Sequence, residues 1–143
     1  MMKRAILTIA LVGLFSCLGC PGVFADNQPA IAQATRAAES WLKLVDAGRY
    51  RRSYKDTSSY FQGRIDEEKW AATVEPVRKP LGEVISRKLK DAQYTTNLPG
   101  APDGQYVVIQ FDTSFQNKKS AIETVTAMLD KDGKWRVSGY FIK

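Results

Sequence analysis

The sequence predicts an α+β fold in which three N-terminal helices pack on one face of a four-stranded antiparallel meander sheet. The first observation is that the spacing of apolar residues changes from three and four to two near Gly82. The second is that 143 residues, 44% of them hydrophobic and 25% charged, suit one small globular domain. Helices followed by strands are typical of a two-layer α+β domain, which we expect to span residues 26–143.

The helical half contains three predicted helices. The first carries an apolar stripe from Ile31 to Val45, with Pro29 at its start and Gly48 just past its end. The second is shorter and covers residues 49–60, where Tyr50 and Tyr54 recur at helical spacing. The third begins at an Asp66 N-cap and runs toward Val77, and Pro76 should kink or end it.

The second half alternates with the period of a strand. Ile85, Arg87 and Leu89 alternate, and Ala92 and Tyr94 resume in the opposite phase, which predicts a β-bulge near Lys90 and Asp91. Further strands are predicted over residues 106–115, 121–129 and 134–142. The sequence Asp-Lys-Asp-Gly at 130–133 predicts a hairpin turn before the last of them.

Counting along the loops assigns the faces of the sheet. Loops with an even number of residues pair odd with even positions. The face toward the helices is then expected to carry Val107, Ile109, Phe111, Thr113, Phe115, Ile122, Thr124, Thr126, Met128, Trp135, Val137, Gly139 and Phe141. Asp112 and Glu123 fall together on the other face, which is predicted to be a solvent or partner surface.

The first 25 residues have the pattern of a signal peptide. Lys3 and Arg4 precede an apolar run from Ala5 to Leu18, and Val23-Phe24-Ala25 predicts cleavage after Ala25. The mature protein would be periplasmic or secreted, and losing Lys3 and Arg4 would lower the net charge from +6 to +4. Leu18-Gly19-Cys20 leaves open a lipoprotein, which would be attached to the membrane through Cys20.

The composition restricts the chemistry that this chain can carry out. The sequence contains no histidine, which excludes Ser-His and Cys-His catalysis and His-ligated metal sites. We therefore predict no catalytic residue, no metal and no cofactor. Asp112 and Glu123 are the best carboxylate pair for a hydrolase or isomerase, but two charges on the solvent face are the favoured interpretation.

Basic residues point to the leading hypothesis, a non-catalytic domain that binds a partner. Arg49, Arg51, Arg52 and Lys55 are interleaved with Tyr50 and Tyr54. Export argues against nucleic acid, so the predicted partner is an envelope protein or an anionic envelope component. The alternative is a positively charged face that contacts only solvent.

A small apolar ligand in a cavity between helices and sheet is the second hypothesis. The polar members of the expected cavity are threonines, and the rest are aromatic. The candidate residues are Tyr50, Tyr54, Trp70, Thr113, Thr124, Thr126 and Trp135. The alternative is a packed core, in which Trp135 lies under the first helix.

Several segments resemble a known bacterial family. They are Ala37 to Leu42 with Val45 to Gly48, the Trp70 helix with Pro80-Leu81-Gly82, the loop 98–104, and Asp132 to Tyr140. In this order and spacing they resemble the family of unknown function 4019. That resemblance implies a small exported bacterial protein and supplies no activity. More loosely, the arrangement is similar to the cystatin-like and nuclear-transport-factor-like α+β cones.

Overall fold

The computed structural model describes residues 26–143, and the predicted signal peptide and Cys20 lie outside the described residues. Its elements are α1 (Gln28–Asp46), α2 (Tyr50–Lys55), α3 (Ser59–Gln62), α4 (Glu67–Arg78), a 3₁₀ turn (Lys79–Leu81), β1 (Val84–Thr95), β2 (Tyr106–Phe115), β3 (Lys118–Leu129) and β4 (Trp135–Ile142). The strands form one antiparallel sheet in the order β1-β2-β3-β4. The predicted α+β class and the four-stranded meander are therefore confirmed.

The predicted second helix is wrong in one respect, because it is two helices. The chain leaves the helical conformation after Lys55, where Thr57 forms a parallel bridge with Val137 and the Ser58 amide donates to the Val137 carbonyl at 2.8 Å. The Ser58 hydroxyl then accepts a bond from the Phe61 amide and caps α3. The described chain thus has four α-helices where three were predicted.

Other local predictions are confirmed. The Asp66 carboxylate accepts a bond from the Lys69 amide at 2.7 Å and caps α4. Pro76 lies in the last turn of α4, which ends two residues later at Arg78. In β1 the pairing with β2 shifts between Leu89 and Asp91, so the bulge is where the alternation placed it.

One face of the sheet, here called the inner face, joins the main core. It contributes Val107, Ile109, Phe111, Val125, Ala127 and Val137. The helices contribute an apolar stripe of α1 that includes Trp41 and Leu42, together with Trp70 and Val74 of α4. The opposite face is called the outer face, and side chains alternate between the two faces along each strand.

The predicted faces of β3 and of the end of β4 are wrong. A register shift between Thr113 and Phe115 makes odd residues of β2 pair with odd residues of β3, as in Phe111 opposite Glu123. Ile122, Thr124, Thr126 and Met128 consequently lie on the outer face. A second shift, which leaves Ser138 unpaired, puts Gly139 and Phe141 there too and Tyr140 on the inner face.

Asp130 joins α3 to the turn between β3 and β4. Its carboxylate accepts bonds from the Ser59 amide at 2.8 Å and the Ser59 hydroxyl at 2.5 Å. Arg136 contacts the carboxylates of both Asp130 and Asp132. Burial opposes ionisation of Asp130, but the bonds from Ser59, Lys131 and Arg136 hold its pKa below the ordinary value, and Arg136 lowers the pKa of Asp132 to about 2.

These lowered pKa values predict part of the acid sensitivity of the fold. A carboxylate whose pKa is lower in the folded state stabilises it fully above the unfolded pKa of about 4 and loses that contribution as the pH falls through its own lowered pKa, which for Asp132 is about 2. We expect Asp130→Asn to flatten the fall in melting temperature between pH 5 and 2.5. The control is Asp91→Asn, an exposed carboxylate on β1. Melting temperatures are measured by circular dichroism. An equal fall between pH 5 and 2.5 for wild type and Asp130→Asn would contradict the prediction.

Candidate functional site

The predicted ligand residues of the helical half are part of the structural core. Trp70 donates through Nε1 to the Ser53 hydroxyl at 3.0 Å, and its ring lies 5.9 Å from that of Trp41. The Tyr54 hydroxyl donates to the Ile65 carbonyl at 2.9 Å, and Tyr50 is largely buried. These contacts hold α1, α2 and α4 together.

The predicted ligand residues of the sheet do not meet in one cavity. Thr113 lies on the inner face, whereas Thr124 and Thr126 lie on the outer face. Trp135 is half-buried and lines a cleft beside Ala37 and Trp41 of α1 rather than being fully covered by that helix. The structure therefore separates these seven residues, because the register shift after Thr113 reverses the faces of β3.

The predicted carboxylate pair is also separated. Asp112 lies opposite Ile122 on the outer face, where its exposed carboxylate contacts Lys90 at 3.2 Å. Glu123 lies on the inner face and is completely buried. The placement of Glu123 on the solvent face was wrong, and the two carboxylates cannot act on one substrate from opposite sides of a sheet.

Glu123 belongs to a cluster that we call the buried polar network, formed by Asp46, Arg78, Arg87, Thr113, Glu123 and Tyr140. Arg87 donates through Nε to Glu123 at 2.7 Å and through its two terminal nitrogens to Asp46 at 2.7 and 2.9 Å. Glu123 also accepts bonds from the hydroxyls of Thr113 at 2.7 Å and Tyr140 at 2.5 Å. The network ties the end of α1 to β1, β2, β3 and β4.

Arg78 closes the network on the α4 side. It donates to Asp46 at 3.2 Å and to the Gly82 carbonyl at 2.6 Å, and its guanidinium lies 4.7 Å from the centre of the Phe115 ring. Gly82 has a φ of +75°, and a Cβ there would lie 2.7 Å from the Gln116 side-chain oxygen. Only glycine fits this turn, which presents its carbonyl to Arg78.

The pKa values show how strongly the network holds its charges. Burial by itself would lower the pKa of Arg87, but its bonds to Asp46 and Glu123 raise that pKa above the ordinary value. Burial and the negative charge of Glu123 raise the pKa of Tyr140 far above its usual range. Arg87 therefore stays charged and Tyr140 stays neutral, so neither side chain titrates near neutral pH.

Two concave surfaces lie near the buried polar network. A cleft of about 340 Å³ lies between the ends of α1 and α4, where Asp46 and Arg78 meet Glu75, Lys79 and Gln116. A second groove of about 260 Å³ lies between α4 and β4 and is mainly apolar; its lining includes Trp70, Val74, Val77, Phe141 and Ile142. Of the predicted ligand residues, the groove contains only Trp70. Within residues 26–143, no set of His, Cys, Asp and Glu side chains is arranged to hold a metal ion.

The four predicted partner-binding residues form an exposed surface, called here the basic surface of α2. Arg49, Arg51, Arg52 and Lys55 are exposed, whereas Tyr50 and Ser53 of the same turn are buried. Arg51 lies 3.8 Å from Glu68 and Arg52 lies 3.7 Å from Asp56, and these charges remain largely solvated. The pairs 49 with 52 and 51 with 55 are each one helical turn apart, so the positive charge is concentrated on this short segment.

Sequence reasoning missed most of the buried polar network. Asp46, Arg78, Arg87 and Tyr140 were not selected as candidate site residues from the sequence. One signal was available, since Arg87 occupies an apolar phase of β1 between Ile85 and Leu89. Arg87 does lie opposite Thr113 on the inner face, but Ile85 and Leu89 are exposed, so this alternation by itself does not indicate a buried charge.

The fold and these surfaces define a small α+β domain in which the charged residues of the buried polar network bond to one another. The chain belongs to the family described as Protein of unknown function (DUF4019), whose model matches residues 37–140. That match confirms the resemblance drawn from the sequence segments. No curated protein and no solved structure matches the chain.

Proposed function

We propose that this chain is an exported, non-catalytic domain that binds an anionic component of the bacterial envelope through the basic surface of α2. One observation carries the proposal: Tyr50 and Ser53 anchor α2 in the core, whereas the four basic side chains beside them are exposed to solvent. Anionic surfaces attract such clusters by about 1 kcal/mol for each basic residue close to them.

The buried polar network supports a non-catalytic role. Its two carboxylates, Asp46 and Glu123, already accept bonds from Arg78, Arg87, Thr113 and Tyr140. A general base must lie within hydrogen-bond reach of the substrate proton that it abstracts, and Glu123 is completely buried. In this proposal the network stabilises the fold and leaves recognition to the surface.

Export and overall shape are part of the same proposal. The charged start, the apolar run and the Ala25 site support a signal peptide. Among the described helices, none has the length and apolar character needed to cross a bilayer. The contacts of α1 with all four strands support helices packed on one face, as in the cystatin-like and nuclear-transport-factor-like cones. Cell fractionation and the mass of the mature N-terminus test export, and distinguish a start at Asp26 from a lipid on Cys20.

Vesicle co-sedimentation tests the binding surface. Arg49→Gln/Lys55→Gln removes two exposed charges that make no ion pair within the described chain. We expect this variant to bind phosphatidylglycerol vesicles about tenfold or more weakly than wild type at low salt. Lys118→Gln/Lys119→Gln, at the start of β3, is the control with the same change in charge. If both variants weakened binding equally, net charge alone would explain the binding and the proposed role of α2 would be refuted.

The apolar groove between α4 and β4 favours a second candidate function, the binding of a small apolar molecule. Trp70, Val74 and Ile142 line it, and Val77 at its rim is 55% exposed. Native mass spectrometry of protein purified from its own cells should then reveal a bound apolar molecule that is lost in Val77→Glu. A spectrum that shows only the bare chain would refute this candidate.

A further inference from the structure

The cleft between α1 and the start of β4, called here the Trp135 cleft, joins apolar and polar side chains in a space of about 220 Å³. Trp135 is half-buried, and the fully buried Trp41 and Val137 line the cleft beside it. Three exposed polar residues also line it, namely Ser40 of α1, Asp56 after α2 and Lys134 before β4. Pockets for drug-sized ligands measure about 300–1,000 Å³, so this cleft suits one small ring.

Trp135 has a hydrogen-bond donor that the domain does not use. Trp41 and Trp70 both donate through Nε1 to Ser53, at 2.9 and 3.0 Å. Trp135 Nε1 has no acceptor within residues 26–143. Solvent reaches this atom, because it is not one of the three side-chain atoms of the described residues that are both sealed and unpartnered. Packed tryptophans usually find a partner for this group, so the cleft offers a free donor at the edge of an aromatic ring.

The polar side chains of the Trp135 cleft are also available to a ligand. Within the part of the chain that the structure describes, the Ser40 hydroxyl makes no hydrogen bond and the Lys134 ammonium makes no ion pair. The Asp56 carboxylate makes only a 3.7 Å contact with an exposed arginine. The cleft therefore offers donors at Trp135 and Lys134, an acceptor at Asp56 and a hydroxyl that can do either at Ser40.

These groups select a ligand that has an apolar face and hydroxyls around its edge. A phosphate would meet the Asp56 carboxylate as well as Lys134, and Arg136 adds no free charge because it is bonded to Asp132 at 2.7 and 2.8 Å. A purely apolar ring would leave the donors and the carboxylate unpaired when it displaced water. Hydroxyls both donate and accept, so a polyol satisfies all of these groups. A sugar ring combines such hydroxyls with a face of C–H groups that can lie on an indole.

We propose that the Trp135 cleft binds one sugar ring of a glycan, with a C–H face of the ring against the Trp135 indole. Trp135 Nε1 and Lys134 donate to oxygens of the sugar, and Asp56 accepts from one of its hydroxyls. None of the four residues of the basic surface of α2 lines this cleft, and the apolar groove between α4 and β4 shares no residue with it. This inference therefore goes beyond the proposed envelope binding and does not depend on it.

Ligand-observed NMR with the methyl glycosides of glucose, galactose and N-acetylglucosamine, on the protein as it accumulates in the cell, tests this inference. Saturation of the protein should transfer to one face of at least one ring, with a dissociation constant of about 1 mM, because one small ring on an open cleft gains little affinity. Trp135→Leu removes the indole and should weaken binding about tenfold or more. Tyr60→Leu, which removes a partly exposed aromatic side chain from α3, is the control and should leave binding unchanged. Sorbitol, which has hydroxyls but no ring, should show no saturable transfer.

Three results would overturn the inference. They are no saturable transfer to any of the three glycosides, equal binding by wild type and a folded Trp135→Leu, or equal binding of sorbitol. Binding of trialanine without any glycoside would assign the cleft to a peptide instead.

Exposed residues keep the test available if thermal unfolding shows that Trp135→Leu is not folded. Ser40→Ala and Asp56→Ala should each weaken glycoside binding about threefold. Ser86→Ala, an exposed serine on the outer face of β1, is their control. Unchanged binding in both cleft variants would also overturn the inference. Arg49→Gln/Lys55→Gln should leave glycoside binding unchanged, and Ser40→Ala should leave vesicle binding unchanged, so this inference and the proposed envelope binding can fail separately.

Discussion

Glu123→Ala is expected to lower the free energy of unfolding by about 3–5 kcal/mol. Three donors lose their acceptor in this variant, namely Arg87 Nε, the Thr113 hydroxyl and the Tyr140 hydroxyl. Arg87 keeps Asp46, but its Nε group and the two hydroxyls are left without an acceptor in a largely buried region. Urea denaturation followed by tryptophan fluorescence measures the change.

Asp112→Ala is the matched control for Glu123→Ala. Asp112 also carries a carboxylate on a central strand, but it lies on the outer face, is exposed and contacts only Lys90. Exposed ion pairs contribute about 0–1 kcal/mol, so the loss should stay within that range. A similar loss in both variants would contradict the register that separates the two carboxylates.

Trp70→Ala should cost about 3–5 kcal/mol, the usual range for removing a large aromatic side chain from a core. The indole is 6% exposed, its ring meets Phe61 edge to face at 5.3 Å, and its Nε1 donates to Ser53. The variant would lose the contacts through which α4 packs against α1 and α2. Thermal and urea unfolding report the loss.

Trp135→Ala provides the comparison for Trp70→Ala. Trp135 is only partly buried at the start of β4, so its removal leaves a more open site that water can fill. The loss should be smaller than for Trp70→Ala by about 1 kcal/mol or more. The opposite order would show that Trp135, and not Trp70, anchors the helices to the sheet.

Particular residues show how far the sequence could predict the fold. The α1 stripe, the Asp66 cap and the change of phase around Lys90 are local patterns, and each gave the correct element. The break after Lys55 depends on Val137, about 80 residues later, whose backbone pairs with Thr57 and Ser58. No local pattern contains that contact, so the second helix was predicted as one piece.

The candidate sites divide in the same way. The basic surface of α2 depends on four residues within seven positions, and the sequence alone places them together. The buried polar network joins Asp46, Arg87 and Glu123 from α1, β1 and β3. Its assembly requires the register of the sheet, which a single bulge changes.

The sequence by itself determined the α+β class, the order of the strands, the family and the basic surface of α2. Each of these depends on periodicity or on residues close together in the chain. Only the tertiary structure decided which face of β3 is inside. One extra residue of β3 between Lys118 and Ala121 reverses every later side chain of that strand, since side chains alternate with a period of two. That reversal buries Glu123 and brings Thr124 and Thr126 to the outer face, with Phe141 beside them.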